Sequence, residues 1–220
     1  MDKATQVRLI SFLEQLVTEH KRERMNAVLA NRTRHVTVVL EDLFQEHNAS
    51  AVMRSIECFG VQDLHAVEMR NRFIMSSGVA MGASKWINIH RYKTMESCYQ
   101  KLKTDGYRII ATTPHATARS LPDLSLEKKF ALIFGTEHVG LSGYAFEHAD
   151  EFVTIPMYGF TQSFNVSVSV ALSLYHITNV LRASSLNWRL SEQEMRDIKL
   201  TWLRKTIPGC KGHEATFFAQ

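Results

Sequence analysis

Three short polar stretches hold the residues of this chain best placed to do chemistry. The first is "HNASAVMRS" (47–55). At helical spacing Val52, Met53, Ile56 and Phe59 share one apolar face, and Arg54 points away from it alongside Ala51 and Cys58. Arg54 is then either a solvated surface side chain or a guanidinium offered to a phosphate or carboxylate, for which its planar fork is suited. The second stretch is "FGTEHVGLS" (134–142), where Gly135 and Gly140 bracket Glu137 in a tight turn after a buried run. The glycines supply backbone freedom there, or let the backbone approach a ligand closely. The third is "IPMYGFTQSFNVSVSV" (155–170), an uncharged run of aromatic, hydroxyl and amide residues between two apolar elements. Ser163 or Asn165 can cap the helix that follows. Capping alone does not account for the whole of "GFTQSFN".

The elements that must position these stretches follow from hydrophobic periodicity. Residues 5–30 have helical spacing with a basic polar face. Residues 35–42, 64–68, 86–92, 107–112, 130–135 and 152–156 are β-branched or apolar runs that predict strands. Between and after them, helices are expected at 48–60, 94–105, 142–149, 165–183 and 191–206, with a loop and a short helix over 71–86. Asn48 or Ser50 is the expected cap of the helix at 48–60, and glycines are expected to end it and the helix at 94–105. Strands alternating with helices predict an α/β domain with a parallel sheet flanked by helices. Ligands bind outside the carboxyl ends of such strands, and polar turns after 107–112, 130–135 and 152–156 fall there. Changes of character near 30–35 and 184–190 set off residues 1–34 and 184–220 as helical extensions of a domain at 35–183.

Composition narrows the classes. The 220 residues are 45% hydrophobic and 22% charged, an ordinary globular balance. No membrane-length apolar run, secretory leader, zinc-ligand spacing or metalloprotease pattern is present, so neither a membrane partner nor a metal is expected. Neither G-x-G-x-x-G nor a P-loop occurs, which leaves an ordinary dinucleotide or nucleoside triphosphate site unsupported. Cys58, Cys98 and Cys210 are widely spaced, which points to a reduced, cytoplasmic setting. The net charge of +4 is unevenly spread. Residues 1–34 carry seven Lys/Arg against four Asp/Glu, residues 182–220 carry the same, and the middle is −2. Basic ends around a near-neutral middle suit a polyanionic partner as well as two solvated helices.

The order N-x-x-x-x-x-R, F-G-x-E-x-x-G-L-S, I-P-M-x-G-x-x-Q-S-x-N-V-S-V resembles the three motifs of the SPOUT superfamily. Within it, the chain is similar to the TrmH (SpoU) family of RNA ribose 2′-O-methyltransferases over about residues 30–183. A basic helix leading into "LEDLFQEHN" and a late "WLRK" (202–205) further resemble the branch that methylates guanosine 18 of the tRNA D-loop. The resemblance implies a deep trefoil knot near the C-terminus, an exception to the rule against threaded chains. It also implies a homodimer with the active site at the subunit interface, and S-adenosylmethionine as methyl donor, lined by Thr112, Gly135, Ile155 and Phe164. Phe164 replaces the family's usual Leu.

The same resemblance implies that Arg54 removes the ribose hydroxyl's proton; because a guanidinium is a poor base, a grip on the nucleotide's phosphate that shifts the proton there is the physically favoured form of that role. Asn48 would orient Arg54 or the ribose, Glu137 would fix Arg54 or order its turn, and Ser163 and Asn165 would hold the substrate phosphate and the first motif. RNA contacts are expected from Arg8, Arg22, Arg24, Arg32, Arg34 and Arg182 on the basic ends, and from His47 beside Asn48. Two departures bear on the choice of RNA: "YHITNVLRASSLNW" (175–188) is poor in basic residues, and position 138 is His. Methylation of a ribosomal RNA ribose is the neighbouring expectation, and an idle RNA-binding dimer a more distant one.

Overall fold

The computed structural model describes residues 1–75, 82–114, 118–136 and 139–219. Their contacts divide the chain into two compact units, Thr33–Trp188 and a second made from Met1–Arg32 together with Arg189–Gln220.

Thr33–Trp188 is built on a seven-stranded sheet, all neighbours parallel. The strands are β1 (Val36–Glu41), β2 (Asp63–Val67), β3 (Asn88–Tyr92), β4 (Arg108–Thr112), β5 (Arg119–Ser120), β6 (Phe130–Phe134) and β7 (Glu151–Thr154), in the order β3-β2-β1-β6-β4-β7-β5. β1 and β6 are buried along their whole length, as strands covered on both faces must be. The five helices expected from residue 48 onward all appear, in this unit and the second; in chain order the helices are α1 (Lys3–Glu14), α2 (Glu19–Leu29), α3 (Glu46–Cys58), α4 (Met95–Thr104), α5 (Gly143–Glu147), α6 (Val166–Ala183), α7 (Glu192–Thr206) and α8 (Cys210–Phe218). One sheet face carries Val36, Val38 and Leu40 against Val52, Met53 and Ile56 of α3 and Val170, Leu174 and Ile177 of α6. The other carries Val39, Ile109 and Ile133 against Tyr99 and Leu102 of α4. Each such buried aliphatic side chain contributes about 1.5–3 kcal/mol.

Three expectations change. The single helix over 5–30 is two helices, because the Thr18 hydroxyl accepts the Lys21 N–H at 3.3 Å and starts α2 afresh. α3 begins before Asn48: Gln45 is its N-cap, its side chain accepting no capping N–H, so neither Asn48 nor Ser50 caps it. Ser50 Oγ instead donates to the Glu46 carbonyl at 2.8 Å. β5 lies in what periodicity leaves as loop; it is two residues long, held at the sheet edge by an ion pair from Arg119 Nε to Glu151 Oε1 at 2.8 Å. Part of the stretch 71–86, residues 76–81, lies outside the described residues.

A polar cluster occupies the β2–β3 edge. The register pairs Asp63 with Asn88 and His65 with His90. His90 Nε2 donates to Asp63 Oδ1 at 2.8 Å, and Arg34 Nε to Asp63 Oδ2 at 2.7 Å. Burial would raise the Asp63 carboxyl, but the His90 hydrogen bond and the Arg34 guanidinium outweigh it and hold the group down at about 2. His65 is stacked on His90 with ring centroids 4.7 Å apart. Burial, then the neighbouring His90, lower it to about 4.

In the second unit α1, α2 and α8 pack against or beside α7. Leu9, Leu13, Trp202 and Leu203 are fully buried there. Ser191 and Glu194 form a reciprocal capping box at the start of α7. The Gln6 amide donates to Asp197 at 2.6 Å, and Lys199 pairs with Glu14 at 2.6 Å.

Candidate active site

The turns after β4, β6 and β7 converge at the carboxyl ends of their strands on a cavity of about 590 Å³. Thr112, Gly135, Ile155 and Phe164 all line it, as do Ser163 and Asn165. No charged side chain lines the cavity among the described residues. Its walls are hydroxyl, amide, backbone and apolar groups, in the size range of a small-molecule site. Such walls fit an adenosine-bearing donor whose aromatic base packs on apolar surface and whose polar edges meet backbone groups and hydroxyls.

The β6 turn explains its glycines. Thr136 and Gly140 exchange backbone hydrogen bonds at 3.0 Å in both directions. Gly140 has φ +74°, in the left-handed region. A Cβ on Gly135 would stand 2.3 Å from the Gly140 carbonyl, so the turn closes only because none is there. Glu137 and His138 lie outside the described residues.

The first and third motifs meet beside the cavity. Asn165 Nδ2 donates to Asn48 Oδ1 at 3.2 Å, and Asn48 Nδ2 to Gln45 Oε1 at 2.9 Å. Asn165 is also the N-cap of α6, its Oδ1 accepting the Ser167 N–H at 2.8 Å. Of the two residues able to cap this helix, Asn165 does so, and Ser163 is left exposed at the cavity. Arg54 is exposed on α3 and makes no ion pair among the described residues. His47 is exposed one residue before Asn48. Gln45 escapes a reading by residue type, although its spacing of three from Asn48 is the signal that could have found it.

The basic residues separate into different environments. Arg24 is exposed. Arg8 lies over the Phe217 ring at 5.7 Å, and Arg22 pairs with Glu19 at 3.3 Å. Arg34 is engaged by Asp63, and Arg182 donates to the Phe59 carbonyl at 2.9 Å. Arg32 corrects the expectation of an RNA contact: it is 1% exposed, its guanidinium 5.4 Å from the Trp202 ring centroid. Charge at the end of a basic segment marks a cation, but not whether it has been folded inward. With the ends gathered into one unit, that unit carries twelve Lys/Arg against eight Asp/Glu, while Thr33–Trp188 has fourteen of each.

A parallel sheet with its ligand cavity at the carboxyl ends of β4, β6 and β7, walled by three polar turns, defines an α/β domain of the enzyme type in which loops do the binding. The profile of the SpoU rRNA Methylase family matches residues 35–175, and the chain belongs to that family. It is 41% identical over 198 residues to a tRNA (guanosine(18)-2′-O)-methyltransferase of Borreliella burgdorferi, covering 90% of this chain and 91% of the relative. A Thermus thermophilus protein of the same name is 32% identical over 190 residues, covering 86% and 98%. Among solved structures, the A. aeolicus TrmH/SpoU tRNA modifying enzyme superposes with a TM-score of 0.78 at 28% identity, over 86% of this chain and 98% of that one.

Proposed function

We propose that this chain methylates the ribose 2′-hydroxyl of a tRNA nucleotide, the guanosine at position 18, with S-adenosylmethionine as donor. The observation that carries the reading is the Asn48–Asn165 hydrogen bond of 3.2 Å, which joins the segment presenting Arg54 to the wall of the cavity. The donor supplies a methyl group already activated on a sulfonium, so the residues here have to align a hydroxyl with it. Thr112, Gly135, Ile155 and Phe164 enclose the donor. A guanidinium is a poor general base but a good fork for phosphate oxygens, so Arg54 grips the nucleotide's phosphate and lets that phosphate take the hydroxyl proton. Asn48 and Asn165 hold α3 and the third motif in register, Ser163 contacts the substrate phosphate, and Glu137 orders the β6 turn or Arg54.

On this reading residues 35–183 form the methyltransferase domain, and the extensions 1–34 and 184–220 give RNA most of its electrostatic footprint, with Arg8, Arg22, Arg24 and Arg34 as contacts there and His47 and Arg182 as contacts from the domain. The chain works as a homodimer: α6 exposes Val168, Leu172, Tyr175 and Val180, an apolar strip suited to a second copy. Strand order β1-β6-β4-β7-β5 and the return of residues 155–165 to α6 are the connections a trefoil knot would use. The setting is cytoplasmic, which suits three free thiols. Incubation with labelled donor and separate tRNA and ribosomal RNA, followed by nucleotide mapping, tests the reading: label at guanosine 18 of tRNA supports it, and label confined to ribosomal RNA, or none, overturns it. Sedimentation of the purified chain decides the dimer.

A further inference from the structure

Glu41 is the last residue of β1, 2% exposed, between the two halves of the site. Its Oε2 accepts the backbone N–H of Ser142 at 2.9 Å. Among the described residues its Oε1 is buried without a hydrogen-bond partner. A buried carboxylate oxygen left unsatisfied costs stability, and an apolar side chain of similar volume would avoid that cost. The packing therefore does not explain why an acidic residue stands there.

The surroundings do. Strand register sets Leu40 beside Phe134, which brings Glu41 level with Gly135, where the β6 turn begins. Thr136 and Gly140 close that turn on themselves, and the Ser142 N–H lies beyond their pair. Glu41 thus supplies a tether from outside the turn, at the end opposite Gly135. Thr136, Val139, Gly140 and Leu141, between the two ends, all line the cavity. On the other side of Glu41 the chain is fixed at once. Asp42 has φ +52°, and its Oδ1 accepts the N–H groups of Arg70 and Asn71, each at 2.7 Å. Three residues on, Gln45 lines the cavity and accepts from Asn48.

We infer that Glu41 is a positioning residue for methyl transfer: its carboxylate ties the donor-side turn, through Ser142, to the strand end that carries α3 and its substrate-side residues. This rests on reading the cavity as the donor site. Two variants of the full chain test it. Glu41→Leu fills the same space without an acceptor, and Glu41→Gln keeps an acceptor for Ser142.

In the Leu variant, calorimetric affinity for S-adenosylmethionine falls by roughly ten- to a hundredfold, the scale of one hydrogen bond to a charged acceptor. KM for the donor rises in step, kcat at saturating donor holds, and the melting temperature equals or exceeds that of the wild type. The Gln variant binds donor nearly as the wild type does. Without ligand, the Ser142 amide exchanges faster in the Leu variant and not in the Gln variant. Wild-type donor affinity and amide exchange in the Leu variant would overturn the inference. So would equal losses in both variants that track a lowered melting temperature, because those describe a merely structural residue. If the wild type itself binds no donor, the reading of the cavity fails, and ligand-free exchange at Ser142 still decides whether Glu41 holds the turn.

Discussion

Asn165 and Asn48 are 117 positions apart in sequence and share a hydrogen bond of 3.2 Å. Asn165 has a second task, capping α6 through the Ser167 N–H. The two tasks can be separated. Asn165→Ser retains a good cap and loses the reach to Asn48; Asn165→Ala loses both. Thermal unfolding should show the Ala variant destabilised by about 1 kcal/mol and the Ser variant nearly unchanged. Both should lose methylation in a steady-state assay, and a fully active Ser variant would confine Asn165 to capping.

Arg54 is exposed on the face of α3 away from the core, so its removal should leave the fold intact. Arg54→Ala is expected to reduce kcat by roughly a hundredfold or more, the scale lost with a positioning or proton-handling group, with donor affinity retained. Lost donor binding with methylation preserved would exclude the assigned role.

Gly135→Ala places a Cβ 2.3 Å from the Gly140 carbonyl carbon and oxygen. Both are backbone atoms, so the turn must open. The expected result is a loss of about 1–3 kcal/mol in denaturant unfolding, together with weakened donor binding by calorimetry. Alanine at the exposed Gly143, where a Cβ meets nothing, is the control.

Arg24 and Arg32 belong to the same basic segment and should behave oppositely. Arg24→Ala lowers the slope of log affinity against log salt for tRNA by about one and leaves unfolding unchanged. Arg32→Ala leaves that slope alone and destabilises by about 2 kcal/mol through lost contact with Trp202. Filter binding across a salt series, beside thermal melts, reads both.

The β2–β3 edge makes stability depend on pH. His65 is lowered from 6.5 to about 4, so the unfolded chain takes up its proton first. Its contribution is fully present above about pH 6.5 and is lost as pH falls toward 4. Asp63, lowered from 3.8 to about 2, contributes above its unfolded value and loses that as pH falls further. Unfolding free energy should therefore decline from pH 6.5 downward, and His65→Phe should flatten the first part of that decline. A profile unchanged by the substitution would remove His65 as its cause.

The sheet was largely legible because its strands are buried on both faces and appear as compact apolar runs such as "FALIF". The apolar face of α3 was equally plain, and so were the positions of the three turns, since chemistry at the carboxyl ends of strands needs only strand order along the chain. What the sequence withheld was pairing over distance. Nothing local marks Arg32 as buried, because its partner Trp202 is 170 residues away in the chain. Gln45 and Glu41 gain their parts only when α3 and the β6 turn are folded against the end of β1. The break between α1 and α2 rests on one Thr18 hydrogen bond, weaker as a signal than the apolar spacing that runs across it. β5 is too short to have a period.

Both ends of the chain are needed to make the basic helical unit, and this orders events during synthesis. α1 is made before the sheet, with Leu9 and Leu13 on its inward side, yet the helix it packs on, α7, comes only after all the strands. A chain cut short before α7 holds the segments of the sheet and cavity, but lacks half of that cationic unit. On the proposed reading, the electrostatic grip on RNA is therefore completed only after the catalytic sheet has been made.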